Sequence, residues 1–343
     1  MKRILISIVA VLALAAGATV ASARGGDDHG GKGAKERLFT LTPDPAVDPG
    51  NPEGIAFDKR TRSFYVGITT DGTIYRGSLK SDTVEPFIAG GAGKSAIGLK
   101  VKRGKLYVAG GATGSITVYD LASKAQVAKF ETGTGGFLND LVVTRGGDVY
   151  VTDSLRPKLW HVTAEQVEAG SGTPQGLDVS TIPYDAGFNV NGIVAKSSSK
   201  LVVVDSNSGK LFRIKLGDEG DSIDSIDEIT GATVPGGDGL LLDKGKLVVV
   251  QGDPAQLSFL KLKHGAREAR LKRTQTSKNL VGPSTVDAAK GLYLVVNADF
   301  ANDTKPFKVA GLPRKAKHGQ RGGHGHDRGD DRGHDRGHDR DDD

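Results

Sequence analysis

The chain has 343 residues, contains no cysteine, and carries a formal net charge of +5 in which basic and acidic residues are interspersed. The absence of cysteine excludes disulfides, thiol catalysis and zinc–thiolate sites, and the charge pattern does not indicate a nucleic-acid partner. A chain of this length can nevertheless bury a core that is stable without disulfides.

Residues 1–23 have the order of a secretory signal peptide. A basic start at residues 2–3 precedes an almost wholly apolar run over 4–20, and a small-x-small site follows at 21–23. We expect cleavage after Ala23 and a secreted or periplasmic protein. The alternative is a membrane anchor, because the apolar run is at the short edge of a bilayer span. After cleavage, no remaining segment is apolar and long enough to span a membrane.

Two segments contain too few apolar residues to form a packed core. Residues 24–36 are rich in glycine and charge, and residues 314–343 repeat Asp, Arg, Gly and His and hold five of the eight histidines. We expect both segments to be disordered, because they cannot offset the entropy of ordering. The tail either chelates transition metals loosely or is simply solvated.

Residues 37–313 repeat one unit six times. Each copy opens with an apolar strand and continues, after a short polar turn, into a strand rich in Val, Leu and Tyr. A period of ~40–50 residues with about four strands per unit is typical of a β-propeller. We therefore predict an all-β fold, a six-bladed β-propeller with four-stranded blades. The copies open at Glu53, Ile97, Asn139, Asn191, Asp238 and Pro283.

The sixth copy contains no recognisable fourth strand after residues 305–309. The segment 36–41, which precedes the first copy, has the character of an outer strand. We expect this N-terminal strand to complete the sixth blade, closing the ring and covering sheet edges that would otherwise invite aggregation. A short helix is predicted over residues 164–169.

Four of the six opening positions carry oxygen donors: Glu53, Asn139, Asn191 and Asp238. In a propeller these positions surround the central channel. Carboxylate and amide oxygens are calcium ligands, and two acidic groups in one ring repel each other unless a cation neutralises them. The alternative for any one position is a turn residue, because Asn-Gly and Asp-Gly are common turn dipeptides. We predict a calcium site made of these four residues, which would also suit another divalent cation.

The same residues resemble the senescence-marker-protein/gluconolactonase/regucalcin-like family, which is related to diisopropylfluorophosphatase and paraoxonase. The resemblance covers about residues 38–313 and implies a six-bladed propeller with a catalytic calcium that hydrolyses sugar lactones, other lactones or phosphotriesters. It implies that Asp238 is the nucleophile or general base and that Asn139 contacts metal or substrate. Phe137 stands where gluconolactonases carry a sugar-binding arginine, which favours a less polar substrate. The short sequence motifs that match the family are Pro52-Glu53-Gly54, Asn139-Asp140, Asn191-Gly192 and Asp238-Gly239.

Further polar residues are expected near the mouth of this site. Asp153 and Asp205 end second strands and either orient substrate or cap tight turns. Paraoxonases carry a His dyad near the metal, whereas His161 and His264 are expected here to be structural or surface residues.

Three functional hypotheses follow from these patterns. The first is an exported, monomeric, calcium-dependent hydrolase of small lactones or related esters, in which Asp238 attacks directly or activates water. The second is a non-catalytic propeller that binds a ligand or protein and uses calcium structurally. The third is a metal-free propeller of the strictosidine-synthase type, against which the four aligned oxygen donors argue.

Overall fold

The computed structural model describes residues 34–42 and 50–314. The predicted signal peptide, most of the predicted linker and the tail from residue 315 lie outside the described residues. Within them the protein is an all-β structure of 24 strands with one short helix. None of the described residues forms a helix long and apolar enough to cross a membrane.

The strands follow the repeat after one N-terminal strand, with four in each of the first five units and three in the last. This strand is β1 (Arg37–Leu41). The first unit contains β2 (Pro52–Asp58), β3 (Ser63–Ile68), β4 (Ile74–Ser78) and β5 (Thr83–Ile88). The second contains β6 (Leu99–Lys102), β7 (Lys105–Ala109), β8 (Ser115–Asp120) and β9 (Gln126–Glu131). The third contains β10 (Leu138–Val143), β11 (Val149–Asp153), β12 (Lys158–Val162), the helix α1 (Ala164–Ala169) and β13 (Gln175–Asp178).

The remaining units repeat this order. The fourth contains β14 (Val190–Ser197), β15 (Lys200–Asp205), β16 (Lys210–Leu216) and β17 (Ile223–Ile229). The fifth contains β18 (Gly237–Asp243), β19 (Lys246–Gln251), β20 (Gln256–Lys263) and β21 (Glu268–Thr276). The last contains β22 (Pro283–Ala288), β23 (Leu292–Asn297) and β24 (Lys308–Pro313).

The second to fifth units are separate four-stranded sheets, and the first and last units join in one sheet of eight strands. Its order is β2-β3-β4-β5-β1-β24-β23-β22. Strand β1 runs antiparallel to β24, with Arg37 opposite Gly311, as the sequence predicted for an outer strand of the last unit. It also runs parallel to β5, where Thr40 pairs with Thr83, a contact that the sequence did not predict.

The apolar core lies between neighbouring units, in six clusters of buried residues. One cluster packs Tyr65 and Ile74 of the first unit against Leu99 and Leu106 of the second. Because each sheet gives one face to each neighbour, no unit has a core of its own. Another cluster joins the first and last units and includes Phe39 of β1.

The first strands of successive units contact one another in the order β2, β6, β10, β14, β18, β22 and again β2. Glycine permits this approach: a Cβ added at Gly54 would lie 2.0 Å from the carbonyl oxygen of Ile97, and one at Gly192 would lie 2.2 Å from that of Asp238. Neither glycine has a positive φ. The alternative interpretation of the Asn-Gly and Asp-Gly dipeptides as turns is therefore wrong, because they lie within strands whose neighbours leave no room for a side chain on the glycine.

Candidate functional site

A β-bulge in the first strand sets the direction of each candidate ligand. In β2 the register shifts between Pro52 and Ile55, so that Glu53 and Gly54 face one residue of β3. The same shift brackets Asn139, Asn191 and Asp238 in β10, β14 and β18. Bulges re-aim side chains and are common beside functional sites.

The bulge also corrects the alignment of the sixth copy. In β22 the register shifts between Pro283 and Val286, so that Ser284, not Pro283, is equivalent to Glu53. The Ser284 hydroxyl donates to the backbone carbonyl of Glu53 at 2.9 Å. The next residue, Thr285, donates to the Glu53 carboxylate at 3.1 Å. Ser284 is therefore a fifth polar residue at the opening positions, where the sequence alignment had placed the apolar Pro283.

Two of the candidate ligands are carboxyl groups that perturb each other. Burial raises the pKa of Glu53 well above its usual range, and the nearby charges of Asp238 and Asp140 raise it further. Burial and the charge of Asp140 raise the pKa of Asp238 to about 7. The amide of Asn191 opposes this shift by donating a hydrogen bond to the Asp238 carboxylate. Desolvated carboxyl groups this close together stabilise either a bound proton or a bound cation.

The two candidate amides differ in their hydrogen bonds to the described residues. Asn139 Nδ2 donates to Ser154 Oγ at 2.9 Å, and this hydroxyl donates to the Val190 carbonyl at 2.8 Å. Asn191 Oδ1 and Asp238 Oδ1 are buried and accept no hydrogen bond from the described residues. A buried oxygen without a partner costs about 1–3 kcal/mol, and in native proteins a water or an ion commonly satisfies it. These two oxygens therefore fit a cation.

Sequence reasoning missed the role of Asp140. Its Oδ1 accepts from Lys100 Nζ at 2.9 Å and from the Leu141 amide at 2.8 Å, while its Oδ2 accepts from the Ile193 amide at 3.3 Å. The available signal was that an acidic residue replaces the glycine found at this point of the first, second, fourth and fifth copies. No group of three or more His, Asp or Glu side chains within 34–42 and 50–314 could hold a metal ion directly. A cation here would therefore depend on Glu53, Asp238 and neutral oxygens.

The predicted substrate contact Asp153 is fully engaged by protein donors. Its Oδ1 accepts the amide of Phe137 at 2.9 Å, and its Oδ2 accepts Arg156 Nε at 2.7 Å and Trp160 Nε1 at 3.1 Å. Burial alone would raise its pKa, but these hydrogen bonds outweigh burial and lower it. In the last unit, Asn297 occupies the position of Asp153 at the end of the second strand, and its Oδ1 likewise accepts the Val281 amide at 3.1 Å. The contacts of Asp153 are therefore those of a structural anchor for the loop before the first strand.

The other predicted residues near the mouth differ in their surroundings. Asp205 caps a turn by accepting the amide and hydroxyl of Ser208, while its buried Oδ1 has no partner among the described residues. Phe137 is half-buried and packs edge-to-face on Phe188, with ring centroids 4.9 Å apart. The substrate roles of Phe137 and Asp205 stay predictions.

The two propeller histidines lie away from the ring contacts. His161 is buried and stacked on Tyr150 at 4.6 Å, and burial lowers its pKa. His264 is mostly exposed and lies 3.4 Å from Glu268. These placements agree with the expectation that both are structural or surface residues.

Comparisons with known proteins give matches in structure but not in sequence. No protein-family model matches the chain, and no curated protein matches it. A gluconolactonase from Xanthomonas campestris aligns with TM-score 0.57 and 16% identity, over 81% of this chain and 89% of its own. Regucalcin from Agrobacterium tumefaciens, described as a calcium-binding protein, aligns with TM-score 0.57 and 14% identity, over 77% and 91%. The WD40 β-propeller domain of Doa1 aligns with TM-score 0.53 and 11% identity, over 79% and 80%. At these identities the likeness shows the fold alone, and that fold is a β-propeller.

Proposed function

We propose that the protein is an exported, calcium-dependent hydrolase of lactones or related esters, with its metal at the centre of a six-bladed propeller. The observation that carries the proposal is the pairing of two perturbed carboxyl groups, Glu53 and Asp238, with buried oxygens of Asn191 and Asp238 that have no hydrogen-bond partner in the described part of the chain. The structural likeness to a gluconolactonase and to a regucalcin described as calcium-binding supports the proposed lactone hydrolysis and the proposed calcium.

The six-bladed ring is supported by three independent features. The first strands contact one another in a cycle of six, and the six core clusters each join two units. Strand β1 supplies the fourth strand of the last unit. In this ring Glu53, Asn139, Asn191 and Asp238 start the innermost strands of four blades.

The residues present suit calcium better than a transition metal. Calcium accepts six to eight oxygens at ~2.3–2.6 Å, neutral amide oxygens among them, and leaves positions for water or substrate. Two carboxylates would neutralise its charge. When bound, the cation would supply positive charge that polarises an ester carbonyl. Lys100 pairs with Asp140 and so leaves Glu53 and Asp238 as the groups that need a cation.

Asp238 is the residue whose surroundings best suit chemistry. The side chain of Asn191 favours its charged form, while its Oδ1 is buried and has no donor among the described residues. A carboxylate oxygen without a protein donor can attack an ester carbon or accept a proton from water. Glu53, in contrast, is held by Thr285 and suits a purely ligating role.

The first test combines metal analysis with a screen of lactones and aryl esters. We expect about one calcium per chain, and hydrolysis that is lost in a chelator and restored by calcium. Asp238→Asn should retain the fold but lower kcat by at least about a hundredfold, because the amide can neither attack nor act as a base. Asp287→Asn is the matched control: Asp287 is a half-buried carboxyl on β22 with a raised pKa outside the four ligands, and this variant should remain active. Equal activity of Asp238→Asn and the wild type would contradict the proposed chemistry.

One observation favours the alternative of a binding propeller with a structural calcium. Glu53, Asn139 and Asn191 are each exposed by 7% or less, which limits access of a substrate to them. One bound calcium without hydrolysis across the screen, together with a calcium-dependent melting temperature, would select this alternative.

The proposed export and monomeric state rest on the sequence. Residues 1–23 lie outside the described residues, so sequencing of the mature N-terminus is the direct test and should begin at Arg24. Light scattering of the purified protein should give the mass of one chain.

A further inference from the structure

Most strongly exposed apolar side chains of the described region lie in loops beside the first strands. Two exceptions, Val127 and Leu271, lie on the outer strands β9 and β21. The other four precede a first strand or follow a second strand: Leu155, Phe188, Val281 and Phe300, each exposed by 43–51%. In antiparallel strands these two ends lie side by side, so the loops share the edge at which the ring residues begin.

Three apolar residues lie on neighbouring loop segments at this edge, and we call them the apolar wall: Phe137, Leu155 and Phe188. The two phenyl rings meet edge-to-face at an interplanar angle of 79°. Backbone hydrogen bonds join the three segments, because the Ser154 amide donates to the Phe137 carbonyl at 2.9 Å and the Ser154 carbonyl accepts the Asn189 amide at 3.1 Å.

Ser154 also connects the apolar wall to the candidate metal ligands. Its hydroxyl accepts from Asn139 Nδ2 and donates to the carbonyl of Val190, the residue before Asn191. Phe137 precedes Asn139 by two residues, and Phe188 precedes Asn191 by three. The wall is therefore built on the same hydrogen-bonded frame that holds two amides of the ring, and a molecule that reaches the ring from this edge passes beside it.

We propose that the apolar wall binds the alkyl or aryl substituent of the substrate, so that the enzyme acts on hydrophobic lactones or esters rather than sugar lactones. The inference rests on the proposed hydrolase site and specifies its substrate class. Phenyl and isobutyl groups offer sugar hydroxyls no hydrogen bonds, whereas an alkyl chain or aromatic ring removes their apolar surface from water. The edge-to-face pair leaves Phe188 accessible, 45% exposed, for a third apolar group.

The test uses the full mature chain with calcium and a series of γ-lactones whose alkyl side chain grows from none to seven carbons. The readout is the ratio of kcat/KM for the longest lactone to that for the unsubstituted one. We expect a high ratio in the wild type and a fall of about tenfold in Phe188→Ser, with a smaller fall in Leu155→Ser. Leu271→Ser is the matched control, since it removes an equally exposed apolar side chain from β21, and its ratio should match the wild type.

An unchanged ratio in both Phe188→Ser and Leu155→Ser would overturn the proposal, as would an equal fall in Leu271→Ser. If no lactone is hydrolysed, the proposed function fails, and the wall is tested by calorimetric binding of the matching γ-lactams, which resist hydrolysis. Affinity that rises with chain length in the wild type and not in Phe188→Ser would support the wall. Affinity independent of chain length would refute it.

Discussion

Asp140 changes the balance of charge among the ring residues. Where the first and fourth units have glycine, the third has a carboxylate that contacts Lys100 and adds negative charge near Glu53 and Asp238. The Asp140 side chain is only 6% exposed, so loss of Lys100 would leave a buried charge without its partner, which is costly. The lysine therefore acts as an internal counterion for one carboxylate of the group.

The first prediction at this scale concerns that counterion. Lys100→Met should leave Asp140 unpaired and make the surroundings of Glu53 and Asp238 more negative. In a chelator the unfolding free energy of the variant should be about 1–3 kcal/mol below that of the wild type. Calcium should raise the unfolding free energy of the variant by more than it raises that of the wild type. Denaturant unfolding with and without calcium measures both quantities.

Lys105→Met provides the matched control for this measurement. Lys105 lies 2.9 Å from Glu168, whose side chain is 78% exposed, so its ion pair is largely screened. The loss of unfolding free energy in Lys105→Met should be small and independent of calcium. A loss in Lys100→Met that calcium does not alter would contradict the counterion role.

The second prediction at the residue scale concerns pH. The folded-state pKa values of Glu53 and Asp238 are raised, that of Asp238 to about 7, so the folded protein binds more protons than the unfolded chain between the ordinary carboxyl pKa and about 7. The unfolding free energy of the calcium-free protein should therefore fall as pH rises through that window, by a few kcal/mol in total. Calcium should flatten the slope, because it replaces the protons.

Denaturant unfolding at a series of pH values between 4 and 8, with chelator and with calcium, measures this slope. Asp238→Asn removes one of the titrating groups and should reduce it. Stability in chelator that rises across the whole window would show that the two carboxyls are not perturbed in the folded protein.

At the scale of elements, the bulged first strand is the unit that positions the site. In the second unit Gly98 lies just before β6, and a Cβ there would lie 2.4 Å from the carbonyl oxygen of Asn139, so this unit requires glycine at the position where the third unit carries Asp140. The sequence predicted the first and second strands well, because buried apolar residues mark them. It missed β13 and β21, since β21 has one buried residue in nine and lacks an alternating apolar pattern.

The prediction at this scale concerns the close approach of the first strands. Gly192→Ala would place a Cβ 2.2 Å from a backbone carbonyl that cannot move without shifting β18, so we expect a loss of about 2–4 kcal/mol. Gly91→Ala is the control, because an added Cβ there meets nothing within 4 Å and its φ is not positive. Denaturant unfolding should show a change below about 0.5 kcal/mol for the control. Equal losses in the two variants would contradict the packing argument.

At the scale of the whole molecule, strand β1 connects the two ends of the repeat. It pairs with β24 and β5, and its Phe39 and Leu41 are buried in the cluster shared by the first and last units. The sequence predicted this strand and its pairing with the last unit, but it did not predict the pairing with β5. A strand can pair on two edges, and only the arrangement of the other strands decides which edges are free.

The corresponding prediction compares two truncations. A chain that begins at residue 34 and ends at 314 should melt within about 2 °C of the mature protein, since the removed segments contain few apolar residues. A chain that begins at residue 43 loses β1, with two buried apolar side chains worth ~1.5–3 kcal/mol each, and exposes the edges of β24 and β5. It should melt at least about 10 °C lower or aggregate. Similar melting of both chains would refute a closing role for β1.

The sequence by itself determined the repeat, the all-β class and the oxygen donors at the openings of four units, because burial periodicity and residue chemistry are local properties. Tertiary structure decided the rest. The bulges placed Ser284 rather than Pro283 in the ring, strand packing turned apparent turn glycines into sites of close approach, and Lys100 met Asp140 across 40 positions of the chain. These features depend on register and on contacts between units, and neither is encoded in the spacing of residues along one strand.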